Sequence, residues 1–152
     1  MINITGYSSC TGLSYNQVLD VLFDDSDITE PVTLPEAKNF CKIDITDDDT
    51  LITSLITAAR KMCESFTNIG FVEREVTAVV NNGNGNIYLP YGPIGEVSLI
   101  DDVAPVTDEI IGVKWKQLAT VGERITVVYT GGYATLPEDL KTGLLNAIYF
   151  LY

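Results

Sequence analysis

The chain has 152 residues, 46% hydrophobic and 20% charged, which suits one folded domain with its own core and not a disordered segment. It carries a formal net charge of −12 and no histidine, so Ser-His-Asp and Cys-His sites are excluded within the chain, and a lysine- and arginine-rich surface for gripping phosphate is missing. No apolar run approaches the roughly 20 residues that a membrane-spanning helix needs.

The start, Met1-Ile2-Asn3-Ile4-Thr5-Gly6, lacks the basic and apolar parts of a signal peptide, so the chain is expected to fold where it is made. Cys10, Cys41 and Cys63 are odd in number and form no Cys-x-x-Cys pair. They read as small hydrophobes in a reducing compartment, not as a zinc ribbon or a redox dithiol.

Capping boxes predict three helix starts: Ser14-Tyr15-Asn16-Gln17, Thr33-Leu34-Pro35-Glu36 and Thr135-Leu136-Pro137-Glu138. The first helix is expected over about 15–23, with Tyr15, Val18, Leu19 and Leu22 on one face. Asp24-Asp25-Ser26-Asp27 would end it, because negative charge is unfavourable at a helix C-terminus, and 24–32 reads as a linker. A short helix follows over about 34–41, burying Leu34, Ala37, Phe40 and Cys41.

Thr46-Asp47-Asp48-Asp49 supplies a cap and a negative first turn for a long helix over about 47–67. Its apolar stripe is Leu51, Ile52, Leu55, Ile56, Ala59, Met62, Cys63 and Phe66. Thr53, Thr57, Arg60, Lys61 and Glu64 take the other side, and Asn68 to Gly70 stop the helix.

From about 71 to 130 the pattern turns to strands. Phe71 to Val80 is rich in β-branched residues. The turn Asn81 to Asn86 leads to a short return strand, Ile87-Tyr88-Leu89. Val97 to Ile100, one or two strands within Ile110 to Leu118, and Arg124 to Thr130 complete an antiparallel insert. The last helix spans about 136–152, with Leu136, Leu140, Leu144, Ala147, Ile148 and Leu151 as its core stripe. Leu145, Tyr149 and Tyr152 lie on its far side, with Phe150 between, so its final turns are apolar nearly all round. Either the domain wraps this end or another chain covers it.

Few residues suggest chemistry. Asp47-Asp48-Asp49 is explained as helix-start charge. Asp101-Asp102 with Asp108-Glu109 offers oxygen ligands for a divalent cation, but a solvated loop is the simpler account. The Gly-x-Gly within Asn81 to Asn86 lacks the following helix and lysine of a phosphate loop. Trp115 between Lys114 and Lys116 reads as a strand with one inward aromatic and two outward lysines. No catalytic residue, metal ligand or cofactor is assigned. By composition alone the acidic charge means solubility.

The ordered set of blocks is more informative than any one of them. Thr33-Leu34-Pro35-Glu36-Ala37-Lys38 leads to Asp47-Asp48-Asp49-Thr50-Leu51-Ile52, then Ala58-Ala59-Arg60 and Glu64. Leu89-Pro90-Tyr91-Gly92-Pro93-Ile94-Gly95-Glu96-Val97 follows, then Val127-Val128-Tyr129-Thr130-Gly131-Gly132-Tyr133, then Leu136-Pro137-Glu138-Asp139-Leu140-Lys141. This set resembles the head–tail connector (adaptor) family of long-tailed bacteriophages and prophages, over about residues 31–152. The resemblance implies an α+β domain over 31–152; residues 1–30 are an N-terminal extension that departs from the family's short members, and their capped helix reads as an added clamp on a neighbour or on the portal.

It further implies a structural part of the virion neck, made in the bacterial cytoplasm, and not an enzyme. About a dozen copies would close a ring under the portal protein, extend the DNA channel and offer a platform for the next neck or tail-completion protein. DNA would pass an acidic lumen without specific binding. The chain stops at Tyr152, where family members often continue with charged residues, so their docking of the last helix on the portal is not carried over. The candidate interface is Tyr15, Leu19 and Leu22 with Leu145, Tyr149, Phe150, Leu151 and Tyr152. The alternative is a small acidic α+β module that recognises a peptide or a divalent cation; an enzyme working with carboxylates alone is a third reading.

Overall fold

The computed structural model describes residues 16–83, 85–104 and 110–152. Its elements are β1 (Gln17–Phe23), α1 (Leu34–Cys41), α2 (Asp49–Thr67), β2 (Arg74–Asn82), β3 (Ile87–Tyr88), β4 (Ile94–Ile100), β5 (Ile110–Ile111), β6 (Gln117–Leu118), β7 (Gly122–Gly131) and α3 (Glu138–Leu151). The class is α+β, as expected. A four-stranded sheet has the order β1-β2-β7-β4 and a three-stranded sheet the order β3-β6-β5. Every pairing between these strands is antiparallel.

Two cores divide the fold. Val76, Ala78, Val80, Ile125, Val127 and Tyr129 line the inner face of the larger sheet and pack with Ile87, Leu89 and Leu118. Val32, Ala37, Ile52, Ile56, Ala59, Phe71, Leu144 and Ile148 join the three helices. Each helical unit or sheet buries one face, which is what an amphipathic stripe or a period-two strand can do.

The first expected helix is a strand. Gln17–Phe23 pairs along β2, from Gln17 opposite Asn81 to Phe23 opposite Val76. Val21 and Phe23 pack on the sheet core, whereas Leu19 and Leu22, assigned to a helix face, are exposed. The helical spacing lost because β2 offered a full row of backbone partners, and this tertiary pairing outweighs a weak local preference. Ser14 and Tyr15 lie outside the described residues, as does Cys10.

The Thr33–Glu36 capping box forms as expected: Glu36 N–H donates to Thr33 Oγ1, and Thr33 N–H donates to Glu36 Oε2 at 2.8 Å. The other expected starts differ. Asp48, not Thr46, precedes α2, and Pro137, not Thr135, precedes α3, neither with a side-chain cap. Phe40, expected inside, is exposed. Asn68 at φ 57° ends α2 in the left-handed conformation, as the stop residues indicated.

Stretch 24–32 is pinned, not slack. Asp24 N–H donates to Glu75 O, Asp25 pairs with Arg74 at 2.8 Å, and Glu30 pairs with Arg60 at 2.9 Å. In the insert, β2 runs on through the asparagines. Buried Asn82 donates to the carbonyls of Leu118 and Thr120 and accepts from Asn86 N–H, so a residue read as turn chemistry joins the two sheets. The expected return strand, β3, pairs with β6. Trp115 precedes β6 and is half exposed; its ring lies so close over Gly92 that a Cβ there would strike it.

Candidate assembly interface

Two ion pairs and one hydrogen bond fix the helices to one another at their surface. Lys141 reaches Glu36 at 2.6 Å, and Lys38 reaches Asp49 at 2.6 Å while also donating to Ile45 O. Lys141 and the two Thr33 donors hold the Glu36 carboxyl down at about 2. The Tyr152 hydroxyl donates to Asp48 Oδ2 at 2.9 Å, so the last residue closes on the start of α2.

This bracing presents the end of α3 to solvent. Leu144 and Ile148 are buried in the helical core and Leu145 is partly so. Tyr149, Leu151 and Tyr152 are exposed, and Phe150 is 86% exposed. The described residues therefore do not wrap the helix end. Leu22, at 63% exposure, and Leu19 sit on β1 at the sheet edge, a different unit of the fold. The structure thus divides the expected interface residues between two places, and Tyr15 lies outside the described residues.

Part of the α2 stripe read as core is uncovered. On α2, Leu51, Leu55, Ala58, Met62 and Phe66 recur at helical spacing; Leu51 and Met62 are exposed and Phe66 is 91% exposed. An apolar hollow of about 370 Å³ lies beside Met62 and Phe66, where Gly143 of α3 has nothing within 4 Å of a Cβ position.

The side of α2 read as polar holds the surprise. Arg60 and Glu64 are 1% and 2% exposed. Glu64 accepts from Arg60 Nη1, Arg74 Nη2 and Phe71 N–H, at 2.9, 2.9 and 2.8 Å. The Arg74 guanidinium also lies 4.1 Å from the Phe23 ring centroid, which turns edge-on to Tyr91. Charges this deep survive only when fully paired. The spacing of Arg60 and Glu64 by one turn was the available hint; their partners on β2 and in 24–30 were not visible locally.

The glycine-bearing blocks meet at one junction between the two cores. Gly70 N–H donates to Gly92 O, Tyr91 N–H to Asn68 O, Gly132 N–H to Pro93 O and Tyr133 N–H to Gly70 O. Buried Tyr129 donates its hydroxyl to Pro90 O at 2.7 Å, and burial, with the nearby Tyr91, raises its pKa. A Cβ on Gly70 would come within 2.7 Å of Gly132 Cα.

The acidic loop offers no assembled cation site among the described residues. Asp101 and Asp102, at φ 48° and 64°, form a tight turn between Ile100 and Val103. Asp101 Oδ1 accepts from Thr126 N–H at 2.8 Å. Asp108 and Glu109 lie outside the described residues. No helix among the described residues is long and apolar enough to cross a membrane.

Residues 31–102 match the family described as "Phage gp6-like head-tail connector protein". No curated protein matches the chain. Among solved structures, a chain of "Virion of native gene transfer agent (GTA) particle" is 16% identical with a TM-score of 0.67, over 86% of this chain and 84% of that one. A chain of "Neck of empty GTA particle computed with C6 symmetry" is 16% identical with a TM-score of 0.68, over 88% and 84%. The fold is shared with these particles, and the chain resembles the head–tail connector family, as its blocks indicated.

Proposed function

We propose that the chain is a head–tail connector, a structural protein of a phage-type virion neck. The observation that carries this reading is the family match over 31–102 together with a shared fold across most of the chain. About a dozen copies form a closed ring beneath the portal protein, a heterologous assembly in which each copy uses two different faces. The ring continues the DNA channel and receives the next neck or tail-completion protein. The six-fold symmetry named for one similar particle is compatible with a dozen copies and supports a ring.

The role needs no reactive side chain. A net charge of −12 gives DNA a wall that repels its phosphates, so the duplex passes without specific binding. The uncovered end of α3, with Tyr149, Phe150, Leu151, Tyr152 and the flanking Leu145, meets a neighbour in the neck. Leu19 and Leu22 belong to a second contact. Electron microscopy of the purified protein, alone and with portal, tests the reading. Rings, or added density on portal, are expected; a strict monomer that ignores portal overturns it.

A further inference from the structure

A ring of identical copies joins two different faces of each copy, and in a strongly acidic chain a face free of charge is the cheaper one to bury. Among the described residues two broad faces of this kind lie on different elements. One is the α2 ridge: Leu51, Leu55, Ala58, Met62 and Phe66 hold one wedge of the helix, span about 22 Å at 1.5 Å per residue, and include no ionisable group. The other is the outer face of the four-stranded sheet. Because Val76, Ala78 and Val80 of β2 and Ile125, Val127 and Tyr129 of β7 point inward, their neighbours point outward.

The strand register places Leu22 beside Thr77, Thr77 beside Val128, and Val128 beside Leu99, one uncharged row across all four strands. Val79 beside Thr126 extends it. Asp20 and Glu75 stand at its margins, opposite Val79 and Thr130. Among the described residues no helix covers this face: α1, α2 and α3 pack on one another around a separate core. The sheet edge itself is a poorer docking site, because Asp20 already occupies the Val21 N–H with its own carboxylate.

An apolar helix ridge and an open sheet face are the two halves of an ordinary helix-on-sheet layer. We infer that the α2 ridge of one copy packs on the outer sheet face of the next copy, an inference that rests on the ring reading. The pairing joins two different faces, so it propagates from copy to copy, and the ring reading requires that its rotation close.

Two variants test it. Met62→Glu with Phe66→Glu spoils the ridge; Val128→Glu with Thr77→Glu spoils the sheet face. Circular dichroism and thermal melting establish that each is folded, and Thr77→Lys alone replaces the sheet-face variant if the pair is not. Light scattering should show each variant losing the ring on its own. Mixed together, each supplies the face that the other lacks, so one-to-one dimers and no ring are expected. Rings from either folded variant alone, or no dimer in the mixture, overturn the inference while leaving the connector reading intact. A sheet-face variant that rings normally but no longer binds portal also overturns it, and assigns that face to portal. Wild-type protein that never assembles, with or without portal, overturns both readings.

Discussion

The Arg60 guanidinium donates to the Glu64 carboxylate at 2.9 Å inside the protein, one helical turn apart on α2. The same carboxylate holds Arg74 of β2, and Arg60 and Arg74 reach Glu30 and Asp25 in turn. The pair is therefore the centre of a buried network that ties the helical unit to the sheet and to the segment after β1. Removing Glu64 leaves the buried Arg60 and Arg74 guanidinium groups with only their partly exposed partners, Glu30 and Asp25, and strands the Phe71 N–H. Glu64→Ala should cost about 3–5 kcal/mol and lower Tm by roughly 10 °C. Denaturant unfolding and calorimetry read both; a change within about 0.5 kcal/mol, typical of surface sites, would contradict the network's importance.

Tyr129→Phe leaves the Pro90 carbonyl without its buried donor. The loss should be about 1–3 kcal/mol with secondary structure intact. Urea unfolding with an unchanged m-value checks it, since the surface exposed on unfolding stays the same.

Gly132 has φ 102°, and a Cβ there would strike the Val72 carbonyl, which is backbone and cannot swing aside. Gly132→Ala should destabilise by at least ~2 kcal/mol, combining the left-handed penalty with displacement of the junction. Gly143→Ala, with open space around it, serves as the control and should be near neutral or slightly stabilising. Paired melting curves separate the two; equal behaviour would contradict the junction.

Acid should loosen the α1–α3 tie. Glu36 sits at about 2 when folded, below its ordinary 4.5, so its contribution is present above 4.5 and fades as pH falls toward 2. Its side chain is 43% exposed, and solvent screening limits the effect to about 1 kcal/mol or less. In Glu36→Gln this part of the acid-side slope should flatten, measured by unfolding across pH 2–5. An unchanged slope would show that the pair is not formed in solution.

Deleting Tyr149 to Tyr152 removes exposed apolar surface and the Tyr152–Asp48 bond while leaving Leu144 and Ile148 in place. The shortened protein should stay folded but assemble more weakly. Ring formation equal to wild type, by light scattering, would reject the helix end as an interface.

The sequence by itself determined what local chemistry could carry. The Thr33–Glu36 box, the left-handed stop at Asn68 and the swing to β-branched residues after Phe71 are short-range effects, and each appears where it was read. So did the resemblance, because its blocks supply the caps and glycines that the junction of the two cores requires. Tertiary structure decided the rest. Val18 to Leu22 fits a helix as well as a strand until β2 offers its edge. Arg60 and Glu64 look like solvent-facing charges until Arg74, Glu30 and Asp25 arrive from distant positions. Leu51, Met62 and Phe66 have the period of a core stripe, but periodicity reports only that a face is apolar. Whether that face is covered within the chain depends on how the other helices pack, and here they leave it bare.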